Sequence, residues 1–430
     1  MQLKPELSVH FIECGQGNMT LLVTPAATVL YDCRVIEEDE ERILAHLETY
    51  IPVRKIDGEK QRWIDWFICS HRDQDHLHGL QSVNERFPIR GIVDPGTTSG
   101  STEGDENKYY MGLRLRVKET YGDGAVIEPG ASATPLFNFG DVLFFCLCSG
   151  IDDPPSKDGH YGNNVFQVEY AGNRILLTGD SDWRSWKERI VPGFEATGLL
   201  STTVLVASHH GSRSFFVDTD PETDEKEAWK DAYEEHLGLI APSLTVISCG
   251  EQDTHNHPNE TALKKYKAAT KHEQVYLTRD QKTLVGRFYS DGTWTVTPAR
   301  FLSEWSLNNF CPSGKSLEVK CEVLKNGQSV GALRSGSTLP VGHQLRFRVV
   351  TGGGLVGDAS KAKYYFEVSN GGQGESADHN EIYSKKKDEN GPANSFNRDL
   401  TYVGTHLLRC NVRCAPLEAQ EVFVVSGTPG

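Results

Sequence analysis

Long apolar runs are absent from this chain of 430 residues, of which 38% are hydrophobic and 24% are charged. No run approaches the ~20 consecutive apolar residues that a membrane-spanning helix requires. Residues 1–6 contain no apolar core of a signal peptide. We therefore expect a cytoplasmic protein without a membrane partner, and the length suits two domains.

Positive charge is also scarce. The chain has 44 Lys and Arg against 59 Asp and Glu, which gives a net charge of −15. This balance argues against broad electrostatic capture of nucleic acid, and no Lys/Arg-rich stripe defines a path for a polynucleotide. A nuclease is not excluded, because metal ligands are themselves acidic and bound cations restore positive charge where a phosphate must sit.

The cysteines lack the paired spacing of a zinc ribbon. Most of the ten lie in apolar runs, where a free thiol acts as a small hydrophobe. We therefore expect all ten to be reduced.

The sequence does contain a dense group of metal-capable side chains after a predicted buried strand at residues 63–69. His71, Asp73, Asp75 and His76 fall within six residues. Two imidazoles and two carboxylates this close would repel and desolvate one another without a cation, whereas a divalent ion makes them ligands. A polar surface loop is the alternative interpretation, and the residues downstream argue against it.

Two later strand ends carry residues of the same kind. One apolar run ends in Gly179-Asp180, and a carboxylate there can offer one oxygen to each of two cations roughly 3.5–4 Å apart. Another apolar run ends in His209-His210. A lone histidine there would more often be structural, but two of them in this order indicate the same metal site. Which imidazole binds metal and which contacts substrate stays open.

An early strand ends in Asp32. Two interpretations are equally good on physical grounds. The carboxylate can orient ligand imidazoles through hydrogen bonds, or it can cap a turn.

Together these motifs resemble the hydrolase domain of ComEC/Rec2-type competence proteins, which has the metallo-β-lactamase fold. The usual metal loop of that fold is His-x-His-x-Asp-His, and Asp73 replaces the second histidine here. The resemblance covers roughly residues 6–300 and includes Gly-Gln-Gly-Asn at residues 15–18, Gly-Asp, His-His-Gly-Ser, and Ser-x-Gly followed by His257-Pro. It implies an α/β protein with the four-layer αββα metallo-β-lactamase fold.

The resemblance also implies a site with two divalent ions, Zn²⁺ or Mn²⁺. The implied metal ligands are His71, Asp73, Asp75, His76, Asp180 and His209. The implied catalytic residues are Asp75, His210 and His257, and Asp32 and Asn164 are the implied supporting residues. Many relatives place a third metal histidine near the Asn pair at 163–164. His160 lies close and could substitute for it, but we interpret it as a loop histidine.

Composition changes near residues 302–316, so we expect a hydrolase domain at 1–302, a linker at 303–316 and an all-β, sandwich-like domain at 317–430. Two short motifs in this tail resemble the sensor domain found beside nucleotide cyclases and SMODS-type nucleotidyltransferases in bacterial defence operons. That resemblance implies a cyclic nucleotide as ligand. The candidate ligand-binding residues are Tyr365, Glu367, Asn370, Tyr402 and His406. An accessory or oligomerisation domain is the alternative, so a homo-oligomer stays open.

The leading hypothesis is a metal-dependent phosphodiesterase. In this hypothesis it is a DNA nuclease controlled by its C-terminal domain, and an antiphage effector that responds to a nucleotide second messenger. Hydrolysis of small or cyclic nucleotides is the second hypothesis, and a non-catalytic, metal-stabilised sensor or scaffold is the third. A lactamase or thioesterase ranks last, because fold alone does not fix function.

Overall fold

Two structural units divide the chain in the computed structural model: Pro5–Gly292, and Thr293–Gly430 together with Met1–Lys4. The structure describes residues 7–56, 59–97, 104–152, 158–219, 225–250, 257–299, 317–351, 363–371, 381–385, 395–401, 404–414 and 417–428. The linker expected at residues 303–316 lies outside these ranges, so its position remains a prediction.

The first unit contains short strands that alternate with helices. Its described strands are β1 (Leu7–Phe11), β2 (Thr20–Val23), β3 (Thr28–Tyr31), β4 (Arg54–Ile56), β5 (Glu59–Gln61), β6 (Trp66–Ile68), β7 (Ile92–Val93), β8 (Val126–Ile127), β9 (Phe137–Phe139), β10 (Val142–Cys148), β11 (Val165–Tyr170), β12 (Asn173–Leu177), β13 (Val204–Val206), β14 (Leu244–Ile247), β15 (Val275–Leu277) and β16 (Leu284–Phe288).

The helices of this unit are mostly short. They are α1 (Glu40–Tyr50), α2 (Gln74–Leu77), α3 (Leu80–Arg86), α4 (Asp105–Tyr121), α5 (Trp183–Ser185), α6 (Val191–Phe194), α7 (Glu225–Ala228), α8 (Glu235–Ile240), α9 (Glu260–Ala269) and α10 (Thr278–Gln281). A π-helical turn, Trp186–Ile190, joins α5 to α6. Single 3-10 turns occur at Glu37–Asp39, Asp123–Ala125, Glu195–Thr197, Ser208–Gly211, Arg213–Phe215, Trp229–Asp231 and Lys271–Glu273.

Two mixed sheets form the centre of this unit. Seven strands of the first sheet lie in the unit, in the order β16-β1-β2-β3-β6-β7-β8, and the second sheet has the order β15-β14-β13-β12-β11-β10-β9. Strands β3, β6, β7 and β8 are parallel, as are β12 to β15. Parallel strands direct their carboxyl ends to one edge, so the loops that follow them can converge on a single site.

Each sheet packs its own layer of helices. One apolar core joins Leu30 and Phe67 of the first sheet to residues of α1, α3 and α4. The other joins Leu176 and Leu205 of the second sheet to Trp186 and to residues of α8 and α9. The expected α/β fold with four αββα layers is thereby confirmed.

The second unit contains only strands in its described part. They are β17 (Trp294–Pro298), β18 (Leu317–Lys325), β19 (Gln328–Leu333), β20 (Ser337–Pro340), β21 (Gln344–Thr351), β22 (Lys363–Gly371), β23 (Glu381–Lys385), β24 (Ser395–Asp399), β25 (Gly404–Cys414) and β26 (Leu417–Thr428). One sheet has the order β19-β18-β21-β24, and another has the order β20-β26-β25-β22-β23. Pairing in both is antiparallel except between β20 and β26. The all-β prediction is confirmed.

Two absences can be compared with the sequence. Among the described helices, none is both long enough and apolar enough to cross a bilayer. Seven cysteines within the described ranges are buried thiols that form no disulfide, namely Cys14, Cys33, Cys69, Cys146, Cys148, Cys249 and Cys321.

Candidate metal centre

The metal loop follows β6 and is held from behind by the residues that follow β3. Asp32 accepts a hydrogen bond from the Ser70 backbone N–H at 2.7 Å. The Cys33 N–H donates to the His76 carbonyl at 2.9 Å. Asp75 and His76 lie on α2, which is a single helical turn. The loop therefore follows a fixed path between two strand ends, and His71 and His76 are fully buried.

Four imidazoles near Asp180 each use the Nδ1 atom to contact a neighbouring oxygen. The contacts are His71 with Ser70 Oγ at 3.0 Å, His76 with Asp32 Oδ2 at 2.8 Å, His209 with Ser214 Oγ at 2.9 Å, and His210 with the Ser248 carbonyl at 3.1 Å. A carboxylate or carbonyl can only accept, so Nδ1 of His76 and His210 carries the proton. Their Nε2 atoms can then bind a metal ion, or carry a second proton in the imidazolium form.

These Nε2 atoms face carboxylate oxygens. His76 Nε2 lies 3.1 Å from Asp180 Oδ1, and His210 Nε2 lies 3.2 Å from Asp75 Oδ2. Burial alone would raise the pKa of Asp180, but the imidazoles of His209, His76 and His210 outweigh it and hold the pKa well below its usual range. Burial lowers the pKa of His76, but the carboxylates of Asp180, Asp32 and Asp75 outweigh it and raise that pKa well above its usual value. Positive charge is therefore favoured between each Nε2 atom and the carboxylate it faces, and a proton or a metal ion can supply it.

Two groups of donor atoms meet at Asp180. Potential ligand atoms of Asp75, His76, Asp180 and His210 all lie within 4.8 Å of one another. Those of His71, His160 and Asp180 satisfy the same limit. One carboxylate therefore belongs to both groups, as a carboxylate that bridges two cations would.

A further observation indicates that these residues fit a pair of divalent cations. His71 Nε2, His76 Nε2 and Asp180 Oδ1 are buried and make no hydrogen bond. Buried polar atoms without partners are costly, and native proteins nearly always satisfy them. Three such atoms in one cluster of imidazole and carboxylate donors are explained by metal ligation.

Sequence reasoning passed over His160, which the structure brings to the centre. His160 Nε2 lies 3.5 Å from Asp73 Oδ2, and its ring centroid is 5.3 Å from that of His71. The Asp158 carboxylate accepts from the His160 N–H and from Arg184, which fixes the loop. The proximity of His160 to the third-histidine position of the fold was the signal that could have identified it.

Asp73 and His209 lie beside the two donor groups. Asp73 Oδ2 is 3.4 Å from His71 Nε2, and His209 Nε2 is 3.4 Å from Asp180 Oδ2. The four-donor group contains His210, whereas our assignment placed His209 among the ligands and His210 among the catalytic residues. Both positions are close enough to Asp180 that their separate roles remain predictions.

The remaining predicted residues of this unit surround the centre. Asn164 donates from Nδ2 to the Cys69 carbonyl at 2.9 Å, so it braces the start of the metal loop. The His257 ring lies 5.5 Å from that of His209. Their supporting and catalytic roles stay predictions.

The candidate nucleotide contacts belong to the second unit and are described separately. Tyr365, Glu367 and Asn370 lie on β22, which pairs with β25, and Asn370 is opposite His406 in the register. Tyr402 lies outside the described residues. Ligand binding by this set is untested.

The backbone of the His-His-Gly bend is unusual. His209, His210 and Gly211 have φ values of 48°, 54° and 79°. Two non-glycine residues in succession in the left-handed region store strain, which is typical of functional sites. The bend turns both imidazoles toward Asp180.

Two curated proteins are similar to part of this chain. Competence protein ComA of Neisseria gonorrhoeae is 24% identical over 264 residues, which are 61% of this chain and 30% of that protein. Recombination protein 2 of Haemophilus influenzae is 22% identical over 275 residues, which are 63% of this chain and 28% of that protein. The chain thus spans less than a third of the length of these relatives.

Two solved structures match part of this chain and share little of its sequence. YhfI of Bacillus subtilis, a metallo-beta-lactamase fold protein, is 13% identical with a TM-score of 0.36, and the match covers 66% of this chain and 99% of YhfI. Igni18, a metallo hydrolase of Ignicoccus hospitalis, is 8% identical with a TM-score of 0.36, and the match covers 65% of this chain and 98% of Igni18.

The model of one protein family matches residues 12–232, which are more than half of the chain and include the metal loop, Asp180 and the His-His-Gly bend. The matched segment is therefore the one that carries most of the donor groups described above. With this match, the chain belongs to the metallo-beta-lactamase superfamily, whose members are generally metal-dependent hydrolases.

Proposed function

We propose that this protein is a metal-dependent phosphodiesterase that cleaves nucleic acid, with DNA as its first substrate. The observation that carries the proposal is the carboxylate of Asp180, which is shared by two groups of ligand atoms. Paired divalent cations at such a bridge are the arrangement that many phosphatases and nucleases use.

The chain's own residues divide into two sets around that bridge. Asp75, His76 and His210 would hold one cation with Asp180, and the other would bind the set His71, Asp73, His160 and Asp180. When bound, the cations supply a nucleophile at neutral pH and offset negative charge that develops on the phosphate oxygens. The carboxylates make the site hard enough for Mn²⁺ as well as Zn²⁺.

The neighbouring imidazoles would have different roles. Burial lowers the pKa of His209 to about 3, so this imidazole is neutral at pH 7 and suits metal binding, but it is too weak a base to take up a proton there. His257, next to it, is the better candidate to protonate the leaving alkoxide.

The names of the two curated relatives support DNA as substrate. Competence and recombination are processes that act on DNA, and both relatives match more than three fifths of this chain. The shared length is less than a third of each relative, so their activities as whole proteins enter only as part of this proposal.

The test is cleavage of plasmid and single-stranded DNA with Mn²⁺, Mg²⁺ or Zn²⁺. Asp75→Ala should abolish cleavage, because it removes one of the four residues whose potential ligand atoms form the first donor group. Asp123→Ala, a matched exposed control, should cleave as wild type does. Intact DNA and RNA with a metal-loaded wild-type protein would contradict the proposal, and hydrolysis of a cyclic nucleotide alone would favour the second hypothesis.

We further propose that the second unit controls cleavage by binding a nucleotide second messenger, as an antiphage effector would. The pairing of β22 with β25 supports this, since it brings most of the candidate contacts onto adjacent strands. A panel of cyclic oligonucleotides should contain one that changes the cleavage rate, and Asn370→Ala should abolish that response. An unchanged rate across the panel would contradict it.

A further inference from the structure

Arg34 lies between two residues whose side chains enter the core next to the metal loop. Cys33 and Val35 are 0% and 3% exposed, and their N–H groups donate to the carbonyls of His76 and His78. In an extended segment successive side chains point to opposite sides. The side chain of Arg34 therefore leaves the core and passes over the opposite face of this segment.

Gly17 makes room for that side chain. A Cβ atom on Gly17 would lie 1.9 Å from Arg34 Cδ and 2.7 Å from the Asp75 carbonyl oxygen. The Asn18 N–H also donates to the same carbonyl at 3.4 Å. The aliphatic stem of Arg34 and the backbone of Asp75 thus meet above Gly17, at the edge of the metal centre.

Arg34 has no acidic partner in the described part of the chain, in contrast to Arg72 and Arg184. Arg72 is paired with Asp94 at 2.7 Å, and Arg184 is paired with Asp158 at 2.8 Å. Arg34 Nε is buried without a hydrogen-bond partner, and so is Gln16 Oε1 in the turn beside it. A guanidinium left uncommitted at this place points to an anion supplied by a ligand.

The charge balance of the centre favours the same ligand. Four carboxylates, those of Asp32, Asp73, Asp75 and Asp180, are close to balanced by two divalent cations. A phosphate ester would add negative charge that this balance does not cover. A guanidinium can take two phosphate oxygens at once through parallel N–H donors.

We propose that Arg34 binds the non-bridging oxygens of a substrate phosphate next to the ion that Asp75 would hold. Gly17, which has no side chain, leaves the space that the Arg34 side chain occupies. The inference rests on the proposed function, because it takes a phosphate ester as the substrate. It adds a substrate-binding residue that is not a metal ligand.

The test is the affinity of the metal-loaded protein for inorganic phosphate, measured by isothermal titration calorimetry. Arg34→Gln should weaken phosphate binding about 10- to 100-fold, as expected for the loss of a charge-assisted hydrogen bond. Arg34→Lys should weaken it less, because charge remains but the fork of donors is lost. Metal content by mass spectrometry should not change in either variant.

Arg116→Gln is the matched control. Arg116 is exposed on α4, and it lies ten residues, or about 15 Å, along the helix from Glu106, which contacts the metal loop through Gln74. Its replacement should leave phosphate affinity unchanged. Because it removes the same charge from the same unit, it separates a local contact from a general electrostatic effect.

Several outcomes would overturn the inference. They are wild-type affinity in Arg34→Gln, loss of metal in that variant, and failure of the wild-type protein to bind phosphate. DNA cleavage is measured in parallel. A wild-type protein that binds phosphate through Arg34 but cleaves no nucleic acid would support the inference and refute the proposed nuclease.

Discussion

At the scale of single residues, the metal centre depends on how each imidazole is turned. Asp32 accepts from His76 Nδ1, from the Ser70 N–H and from Asn18 Nδ2, so one carboxylate orients a ligand and holds the loop. These contacts are the ones that the orienting interpretation requires, and the role itself stays a prediction. A strand-end Asp has either use, and the sequence did not distinguish them.

Asp32→Asn should weaken metal binding about 10- to 100-fold, because an amide no longer fixes the His76 tautomer or raises its basicity. Chelator competition measures the change. Asp65→Asn is the matched control. Asp65 also accepts hydrogen bonds from Trp63 Nε1 and from the Thr28 N–H, but neither donor belongs to a predicted metal ligand. Equal affinities in wild type and Asp32→Asn would contradict the orienting role.

His160 provides the second test at this scale. His160→Asn should lower the bound metal from two ions to one per chain, because the group around His71 and Asp180 loses a donor. Elemental analysis after dialysis gives the stoichiometry. His272→Asn, at an exposed histidine with a φ of 56°, should keep two ions. Retention of two ions by His160→Asn would show that this histidine is not a ligand.

At the scale of elements, strand ends and tight bends place the donors. The 3-10 turn after β13 carries His209, His210 and Gly211 through the left-handed region. A Cβ on Gly211 would lie 2.6 Å from Pro258 Cβ, so the bend also packs closely against the segment that carries His257.

Gly211→Ala should therefore cost more than Gly198→Ala in urea unfolding. Both glycines have positive φ values, but a Cβ on Gly198 would meet nothing within 4 Å. We expect about 1 kcal/mol for Gly198→Ala from backbone strain alone, and at least about 1 kcal/mol more for Gly211→Ala. Equal losses would mean that the contact with Pro258 is easily relieved.

The helical layer beside the second sheet contains a buried histidine, His236 on α8. Its ring lies 4.3 Å from that of Phe215 and 5.0 Å from that of Tyr233, and burial lowers its pKa from 6.5 to about 3. The unfolded chain takes up a proton near pH 6.5 but the folded chain does not. Stability from this residue is therefore complete above pH 6.5 and is lost as the pH falls toward 3.

His236→Phe should reduce the loss of melting temperature between about pH 7.5 and about pH 5, where the linkage amounts to about 2 kcal/mol. Differential scanning calorimetry at both pH values measures it. The exposed His272→Phe should lose as much as wild type. An unchanged difference in His236→Phe would contradict a neutral buried imidazole.

At the scale of the whole molecule, the fold could be predicted because its motifs occur in a fixed order at strand ends. The buried runs before His71, Asp180 and His209 became β6, β12 and β13, and the loops after them converge. The sequence favoured a loop histidine at His160, because its place at the centre depends on the Asp158–Arg184 pair, whose members are 26 residues apart. No sequence motif indicated Arg34, because its proposed role follows from the absence of an acidic partner among the described residues of the folded chain.

The strand pairing of the second unit was equally hidden. Its strands alternate as β strands should, yet nothing in the residues of Ser337–Pro340 indicates a parallel pairing with β26. Periodicity identifies strands, whereas their neighbours depend on long-range packing.

We propose that this protein cleaves nucleic acid with two cations that Asp180 would hold in common, and one experiment compares metal binding and cleavage. Cleavage of single-stranded DNA is followed beside metal stoichiometry for wild type and Asp180→Asn, an isosteric change. We expect two ions and cleavage in the wild type, with fewer ions and no cleavage in the variant. A wild-type protein with two ions that leaves DNA and RNA intact, or a variant that cleaves normally, would contradict it.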